Sequence, residues 1–184
     1  MASSEIPEQH TESWQLIHGY SISIRALRRG DLDIESAFVE GLSPETRHNR
    51  LLGGAIKISR EYLEQLTSID YARDMALAAV VMNQDAEVLI GVARYVMDKE
   101  PPERPAACEF AIVLADAWQG RGVGRHMLAK LIDVARGGGV PRLYGEILST
   151  NHGMLTMVRR LGFRVERHSQ DATVMRATLD LAPR

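Results

Sequence analysis

The sequence predicts a mixed α/β layered domain, an α+β arrangement with helices on the faces of a mixed sheet. Three observations carry this reading. Apolar runs and polar–apolar alternation, the two signatures of strands, interleave with segments of helical period. Caps, prolines and glycines fall at the joins between those segments. The chain has 184 residues, a length that suits one domain and is too short for two full-sized ones.

The elements follow in chain order. Residues 1–18 are polar and lack a periodic apolar pattern, which suits a flexible N-terminal extension before a single domain at 19–184. Trp14, Leu16 and Ile17 are the extension's means of docking. Ser21 to Leu27 alternates as a half-buried strand does. Gly30-Asp31 offers a stop and an N-cap, and Ile34, Phe38, Val39 and Leu42 then recur at helical spacing. Ser43-Pro44 reads as an N-cap with proline at the first helical position, opening a helix to about Leu52 that Gly53-Gly54 ends. Ser59 caps a short helix that buries Leu63 and Leu66. Met75 to Met82 and Val88 to Met97 are nearly continuous apolar runs around the turn-rich Asn83 to Glu87, which predicts an antiparallel hairpin. Lys99 to Pro105 is a stiff, polar, proline-rich loop, and Ala106 to Leu114 is the next strand.

After the glycines at 120, 122 and 124 comes a helix whose apolar face is Leu128, Leu131, Ile132 and Ala135, closed by Gly137-Gly138-Gly139. Leu143 to Leu148 is a strand and Asn151 to Leu161 a helix closed by Gly162. Phe163 to His168 and Thr173 to Leu179 form a last strand pair. The expected order is β-α-α-α-β-β-β-α-β-α-β-β.

Composition narrows the function. Net charge is −2, which argues against holding nucleic acid by bulk positive charge and leaves a local basic patch open. One cysteine, Cys108, excludes an internal disulfide framework and a cysteine-based zinc site. The histidines form no H-x-x-x-H or H-E-x-x-H pattern, so no metal site is expected. No apolar run approaches the roughly 18–20 residues of a membrane span. Glu5 and Glu8 stand where a signal peptide would be positive. The expectation is a soluble cytoplasmic domain without membrane or nucleic-acid partners.

The informative segment is Gln119-Gly120-Arg121-Gly122-Val123-Gly124-Arg125. It follows a strand and opens a helix. Alternating glycines let backbone N–H groups turn inward, and the helix start adds unpaired N–H groups and partial positive charge. Such a cradle suits a phosphate or pyrophosphate, with Arg121 and Arg125 as added charge. No Lys-Ser/Thr follows, so it is not a P-loop. Arg125 occupies the last glycine position of a dinucleotide fingerprint, which should also come early in the chain. The acyl-coenzyme A pattern Q/R-x-x-G-x-G/A is matched at Gln119, Gly122 and Gly124.

With the strand before it, the helix after it, Asn151 and Leu161-Gly162-Phe163, this segment resembles the GNAT family of N-acetyltransferases from about Ser21 to Leu179. Within that family the chain is most similar to the catalytic domain of bacterial Pat-type protein-lysine acetyltransferases. Leu42-Ser43-Pro44-Glu45 with Arg47, Asp70-Tyr71, Gly91 to Tyr95, Glu109-Phe110-Ala111 and Asp116 to Gly122 carry that likeness. The resemblance implies a mostly antiparallel sheet with helices on both faces and a splayed central strand pair. A bulge in the strand ending at Leu114 would open the cleft. Acetyl-CoA would be co-substrate: backbone groups of Ile112, Val113 and Leu114 would bind pantetheine, residues 120–125 would wrap the pyrophosphate, and Asn151 would lie near the thiol. The acceptor would be an amine, first a protein lysine, with a small amine as its substitute. A homodimer is a further partner that the likeness suggests.

Acyl transfer to an amine needs a base, since a lysine-like amine with pKa near 10.4 is about one part in a thousand or less deprotonated at pH 7. Glu109 is the first choice. It lies in an apolar run, shares a strand face with Ala111 and Val113, and matches the Pat-type glutamate. Its alternative is a solvent-facing glutamate paired with Arg94. Glu146, five residues before Asn151, is the second choice, with a surface salt bridge as the alternative. The tyrosine acid of many relatives is replaced by Val158. That leaves open a non-catalytic acyl-CoA sensor. Cys108 reads as core rather than nucleophile, His126 and His152 as surface or capping residues, and Arg25, Arg28 and Arg29 as a solvated basic cluster. Asp70, Tyr71 and Asp74 stand on the acceptor side in either a selecting or a structural role.

Overall fold

The computed structural model describes residues 11–15, 20–54, 59–98 and 107–181. An eight-stranded sheet runs in the order β1-β2-β3-β4-β5-β6-β8-β7. Its strands are β1 (Glu12–Gln15), β2 (Ser21–Ala26), β3 (Met75–Asn83), β4 (Ala86–Met97), β5 (Cys108–Leu114), β6 (Arg142–Leu148), β7 (Arg164–Arg167) and β8 (Val174–Asp180). Every described strand pair is antiparallel except β5 with β6. The helices are α1 (Leu32–Gly41), α2 (Pro44–Arg50), α3 (Arg60–Thr67), α4 (Val123–Gly137) and α5 (His152–Arg160). The mixed, mostly antiparallel fold expected from the sequence is therefore present.

The continuous apolar run of β3 has a direct cause. Met75, Leu77, Ala79 and Val81 pack into the core under α4 and α5, while Ala76, Ala78 and Val80 pack into a second core under α1. A strand covered on both faces loses the polar half of its alternation. Caps fix the helices as read. Ser43 Oγ accepts from the Thr46 N–H, with Pro44 at the first helical position, and Ser59 Oγ accepts from the Tyr62 N–H. Leu128, Leu131, Ile132 and Ala135 all lie in the core. Gly162 takes φ +91° after α5, a backbone region that glycine enters without strain.

Four expectations need correction. The extension is not flexible throughout, because Glu12–Gln15 pairs with β2 as the edge strand. Its Glu12 is gripped from α4 by His126 Nε2 and Lys130 Nζ, each at 2.6 Å. The solvated arginine cluster is wrong for Arg25, which is 3% exposed. It donates to both oxygens of Asp31, at 2.7 and 2.9 Å, and to Glu87 at 2.6 Å. Asp31 consequently gives α1 no side-chain cap. Finally, the register irregularity lies between β3 and β4, where Ile90 has no partner opposite it, while the β4–β5 ladder runs without a shift from Cys108 to Leu114. The proline-rich loop at Lys99 to Pro105, and Leu16 and Ile17, lie outside the described residues.

Arg25 ties β2 to the entry of α1 and to the β3–β4 hairpin. Arg25→Met leaves Asp31 buried without its cation, which costs about 3–5 kcal/mol. A denaturant melt of the variant is expected to show that loss, and an unchanged midpoint would refute the assignment.

Candidate active site

Strands β5 and β6 run side by side but pair only at Cys108–Leu143 and Glu109–Tyr144. Beyond Glu109 they separate. Gly145 sits at the fork, where the Phe110 ring lies 2.6 Å from the place a Cβ would take. Phe110 in turn packs on Phe163 with ring centroids 5.0 Å apart. An aromatic ring thus stands against the next residue of β6 where pairing stops.

The open edge of β5 faces this gap. Ala115 N–H donates to Ile90 C=O at 2.9 Å, which places residue 115 on the β4 side of the ladder. Antiparallel ladders alternate, so the backbone groups of Ile112 and Leu114 turn to the gap and those of Val113 turn to β4. The Leu114 carbonyl accepts from Gln119 Nε2 at 3.1 Å. Of the three consecutive residues expected to line the gap with backbone groups, two do so.

The glycine segment closes the wide end of the gap. Gly120 and Gly122 have φ +71° and +86°, and nothing lies within 4 Å of a Cβ built at either. Backbone conformation, not crowding, requires glycine there. Gly122 is the N-cap residue of α4 and no side chain caps it. The first helical bond runs from the His126 N–H to the Gly122 C=O, so the N–H groups of Val123, Gly124 and Arg125 precede the helical ladder. At Gly124 a Cβ would meet Leu114 Cδ1 at 2.9 Å, so glycine lets the first turn of α4 lie on β5. Arg121 and Arg125 are exposed beside the cradle, the Arg121 guanidinium 5.8 Å from the Trp118 ring centre.

Asp116 fastens this connection to α2. Its carboxylate accepts from the Ser43 N–H at 3.0 Å and from the Ser43 and Thr46 hydroxyls at 2.6 and 2.8 Å. These bonds hold the Asp116 carboxyl below its ordinary range. Gln119 Nε2 also donates to Thr46 Oγ1 at 3.0 Å. Asn151, at the N-terminus of α5, accepts the Met154 N–H on its Oδ1 at 3.1 Å.

The two candidate bases stand on neighbouring strands at the narrow end. Burial, and then the negative charge of Glu146, raise the Glu109 carboxyl above its ordinary range, with Arg50 opposing. Glu109 is exposed as a whole residue. Water on that exposed side relieves the burial and also screens the repulsion from Glu146 and Asp98. Glu146 carries the salt bridges weighed as its alternative, to His168 at 3.3 Å and Arg176 at 3.6 Å. Arg94 does not pair with Glu109; its guanidinium lies 4.0 Å from Glu35. Tyr144, opposite Glu109, donates to Asp98 at 2.7 Å, and Arg176 covers its ring at 4.5 Å.

Cys108 is fully buried and its thiol is pushed up to about 11, chiefly by burial. Val158 is also fully buried, so nothing at that position reaches the gap. His152 is exposed. Tyr71 donates to the Leu27 carbonyl and Asp74 accepts the Met97 N–H, which gives both structural anchoring. Among the described residues, no three His, Cys, Asp or Glu side chains gather as metal ligands. No described helix is long and apolar enough to cross a membrane.

A pocket of about 100 Å³ opens beside Glu109, lined by Glu35, Arg47, Arg50, Arg94, Ala111 and Val113 among others. The sequence reading passed over Glu35, though it stands three, four and seven residues before Phe38, Val39 and Leu42 on one helix face. A charge on an apolar face was the available signal, as was Arg94 inside an apolar strand.

Comparison with known proteins decides the family. Residues 22–164 match the model of the acetyltransferase (GNAT) domain. An acetyltransferase of Pseudomonas aeruginosa is 37% identical over 156 residues, which are 84% of this chain and 81% of that protein. The chain belongs to the GNAT acetyltransferase family. Among solved structures, the GNAT domain of S. lividans PAT superposes with a TM-score of 0.83 at 27% identity, over 96% of this chain and 99% of that one. The Salmonella typhimurium protein yncA, solved with its cofactor acetyl-CoA, shares the fold (TM-score 0.66, 19% identity, 89% of this chain and 95% of that one). Acetyl-CoA is the co-substrate expected of this acetyltransferase, and a gap with free strand amides and an uncapped helix start fits its extended arm and diphosphate.

The fork itself is testable. Gly145→Val drives a side chain into the Phe110 ring and costs about 1–3 kcal/mol of overpacking. Thermal melts of the purified protein should show the loss; a variant as stable as the parent would mean the ring does not hold the fork.

Proposed function

We propose that this acetyltransferase moves an acetyl group from acetyl-CoA to a primary amine by direct attack in a ternary complex, with Glu109 as general base. The observation that carries the reading is the position of Glu109. It is the last residue of β5 paired to β6, at the narrow end of a gap whose wide end carries the amide cradle. On this reading the N–H groups at residues 120–125 hold the diphosphate, with Arg121 and Arg125 adding charge. The gap-facing backbone of Ile112 and Leu114 holds the pantetheine arm, Gln119 fixes the strand end, and Asn151 orients the start of α5.

Glu109 takes the proton from the incoming ammonium, directly or through a water. A carboxylate raised above its ordinary range is the better-matched base at neutral pH. Glu146 supports that state by repulsion while His168 and Arg176 hold it in place. A gap-facing β5 amide is placed to meet the oxyanion as the carbonyl is attacked. With Val158 in the core, the departing thiolate takes its proton from water in the open gap. The acceptor is a protein lysine on the strength of the likeness to the S. lividans PAT domain. A small amine is the second reading, favoured by the enclosed, arginine-lined pocket beside Glu109.

Thiol release from acetyl-CoA, in the presence of lysine-rich protein and a panel of small amines, tests the base. Glu109→Gln is expected to lower kcat by about a hundredfold or more while acetyl-CoA still binds. Retained turnover would sink the assignment. The rate should rise as pH passes upward through the raised carboxyl of Glu109. Glu146→Gln removes a neighbouring negative charge, lets Glu109 ionise at lower pH, and should move that acid limb downward. In calorimetry, Gly122→Ala should weaken coenzyme A binding, because alanine in the left-handed region costs about 1–2 kcal/mol.

A further inference from the structure

The pocket beside Glu109 contains charges that the fold does not use up. Glu35 is 2% exposed, and its Oε2 has no hydrogen-bond partner among the described residues. Its Oε1 faces Arg94 at 4.0 Å, outside hydrogen-bond range. Arg47 donates from one guanidinium nitrogen to the Glu40 carbonyl at 2.6 Å, yet its Nε is buried and has no partner among the described residues. Arg50 lines the same pocket. Three guanidiniums therefore line one pocket with a single carboxylate, and among the described residues a buried acceptor and a buried donor have no partner. The remaining walls are apolar apart from Tyr62, with Phe38, Leu42, Val92 and Val113 among them.

A structural ion pair does not account for this set. A pair built only for stability would bring the Arg94 and Glu35 groups to contact and satisfy both carboxylate oxygens. A ligand with a carboxylate and an N–H beside it completes the set instead: the carboxylate meets Arg47 Nε and Arg50, and the N–H meets Glu35 Oε2. The location suits an acceptor. Ala111 and Val113 line the pocket on the strand face they share with Glu109, and two residues along a strand span about 7 Å. Arg50 lines the pocket, and its charge acts on both Glu35 and Glu109.

We infer that the pocket enclosed by α1, α2, α3 and the β4–β5 face is a carboxylate-recognising acceptor subsite. It takes an amine whose own molecule carries a carboxylate with an adjoining N–H and an apolar flank. Arg50 and Arg47 bind the carboxylate, Glu35 accepts the N–H, and Arg94 stands against Glu35 from β4. This rests on the acyl-transfer reading above and adds the acceptor's chemistry to it. A short peptide with a free N-terminal amine and an apolar C-terminal residue, and an acidic residue beside a lysine, share that chemistry.

Two pairs of acceptors separate these sources in thiol-release assays on the full chain with acetyl-CoA. One pair is glycyl-leucine and glycyl-leucinamide; the other is a lysine peptide with aspartate or asparagine next to the lysine. The carboxylate member of at least one pair should be favoured in kcat/KM by about tenfold or more, equivalent to roughly 1.4 kcal/mol. Preference in the first pair names a short peptide with a free C-terminus, and preference in the second names an acidic side chain beside a lysine. Arg50→Gln should bring the ratio close to one, and Arg50→Lys should keep part of it. A ratio near one for both pairs in the parent, or a ratio unmoved in Arg50→Gln, overturns the subsite.

If no amine is turned over, the catalytic reading fails and calorimetry decides the subsite alone. N-acetyl-leucine should then bind about tenfold or more tighter than N-acetyl-leucinamide, with the difference lost in Arg50→Gln. Equal binding, or no binding of either, overturns it.

Discussion

A parallel pair that stops after two residues leaves strand backbone without a partner, and the organisation of the site follows from that shortage. Backbone N–H and C=O groups are strong hydrogen-bonding groups that need partners. Past Glu109, those of Ile112 and Leu114 have no β6 to meet, and the Leu114 carbonyl turns to the Gln119 side chain. The same open edge can take an extended ligand as if it were a strand, which is how a sheet accepts a linear chain. The Phe110 ring against Gly145 stands where the two strands part.

The two halves of the site are physically joined. Asp116 follows β5, yet its carboxylate holds Ser43 and Thr46 at the start of α2, the helix that carries Arg47 and Arg50 into the acceptor pocket. Gln119 bonds both Leu114 and Thr46. The open edge of β5, the glycine segment and the arginine-lined pocket therefore share one hydrogen-bonded junction, and Glu109 lies on the strand whose Ala111 and Val113 line that pocket. Across the fork, Glu146 is held by His168 and Arg176, Tyr144 donates to Asp98 at the end of β4, and the charges of Glu146 and Asp98 act on Glu109.

Much of the local structure was legible because it depends on near neighbours in the chain. Ser43-Pro44 and Ser59 cap helices through bonds three residues long. The positive φ at Gly120 and Gly122 needs only their own lack of a side chain. Charged residues misled for the opposite reason. Arg25 reads as a surface residue until Asp31 and Glu87 close on it, and Glu87 is far away in the chain. Glu12 belongs to a polar stretch that becomes a strand only because β2 offers an edge and α4 offers His126 and Lys130. Arg94 stood near Glu109 in expectation and near Glu35 in fact, since α1 covers that face of the sheet.

The sequence by itself determined the element types from β2 onward, the serine caps, the glycine-dependent backbone at residues 120 and 122, the family likeness and the two glutamates near the fork. Each rests on side-chain type, local spacing or a short motif. Tertiary structure alone decided where the bulge falls, that strand pairing ends at Glu109, and that Glu35, Arg47, Arg50 and Arg94 share one pocket. Those outcomes depend on which faces meet after packing, and packing brings together groups whose separation along the chain carries no signal of their contact.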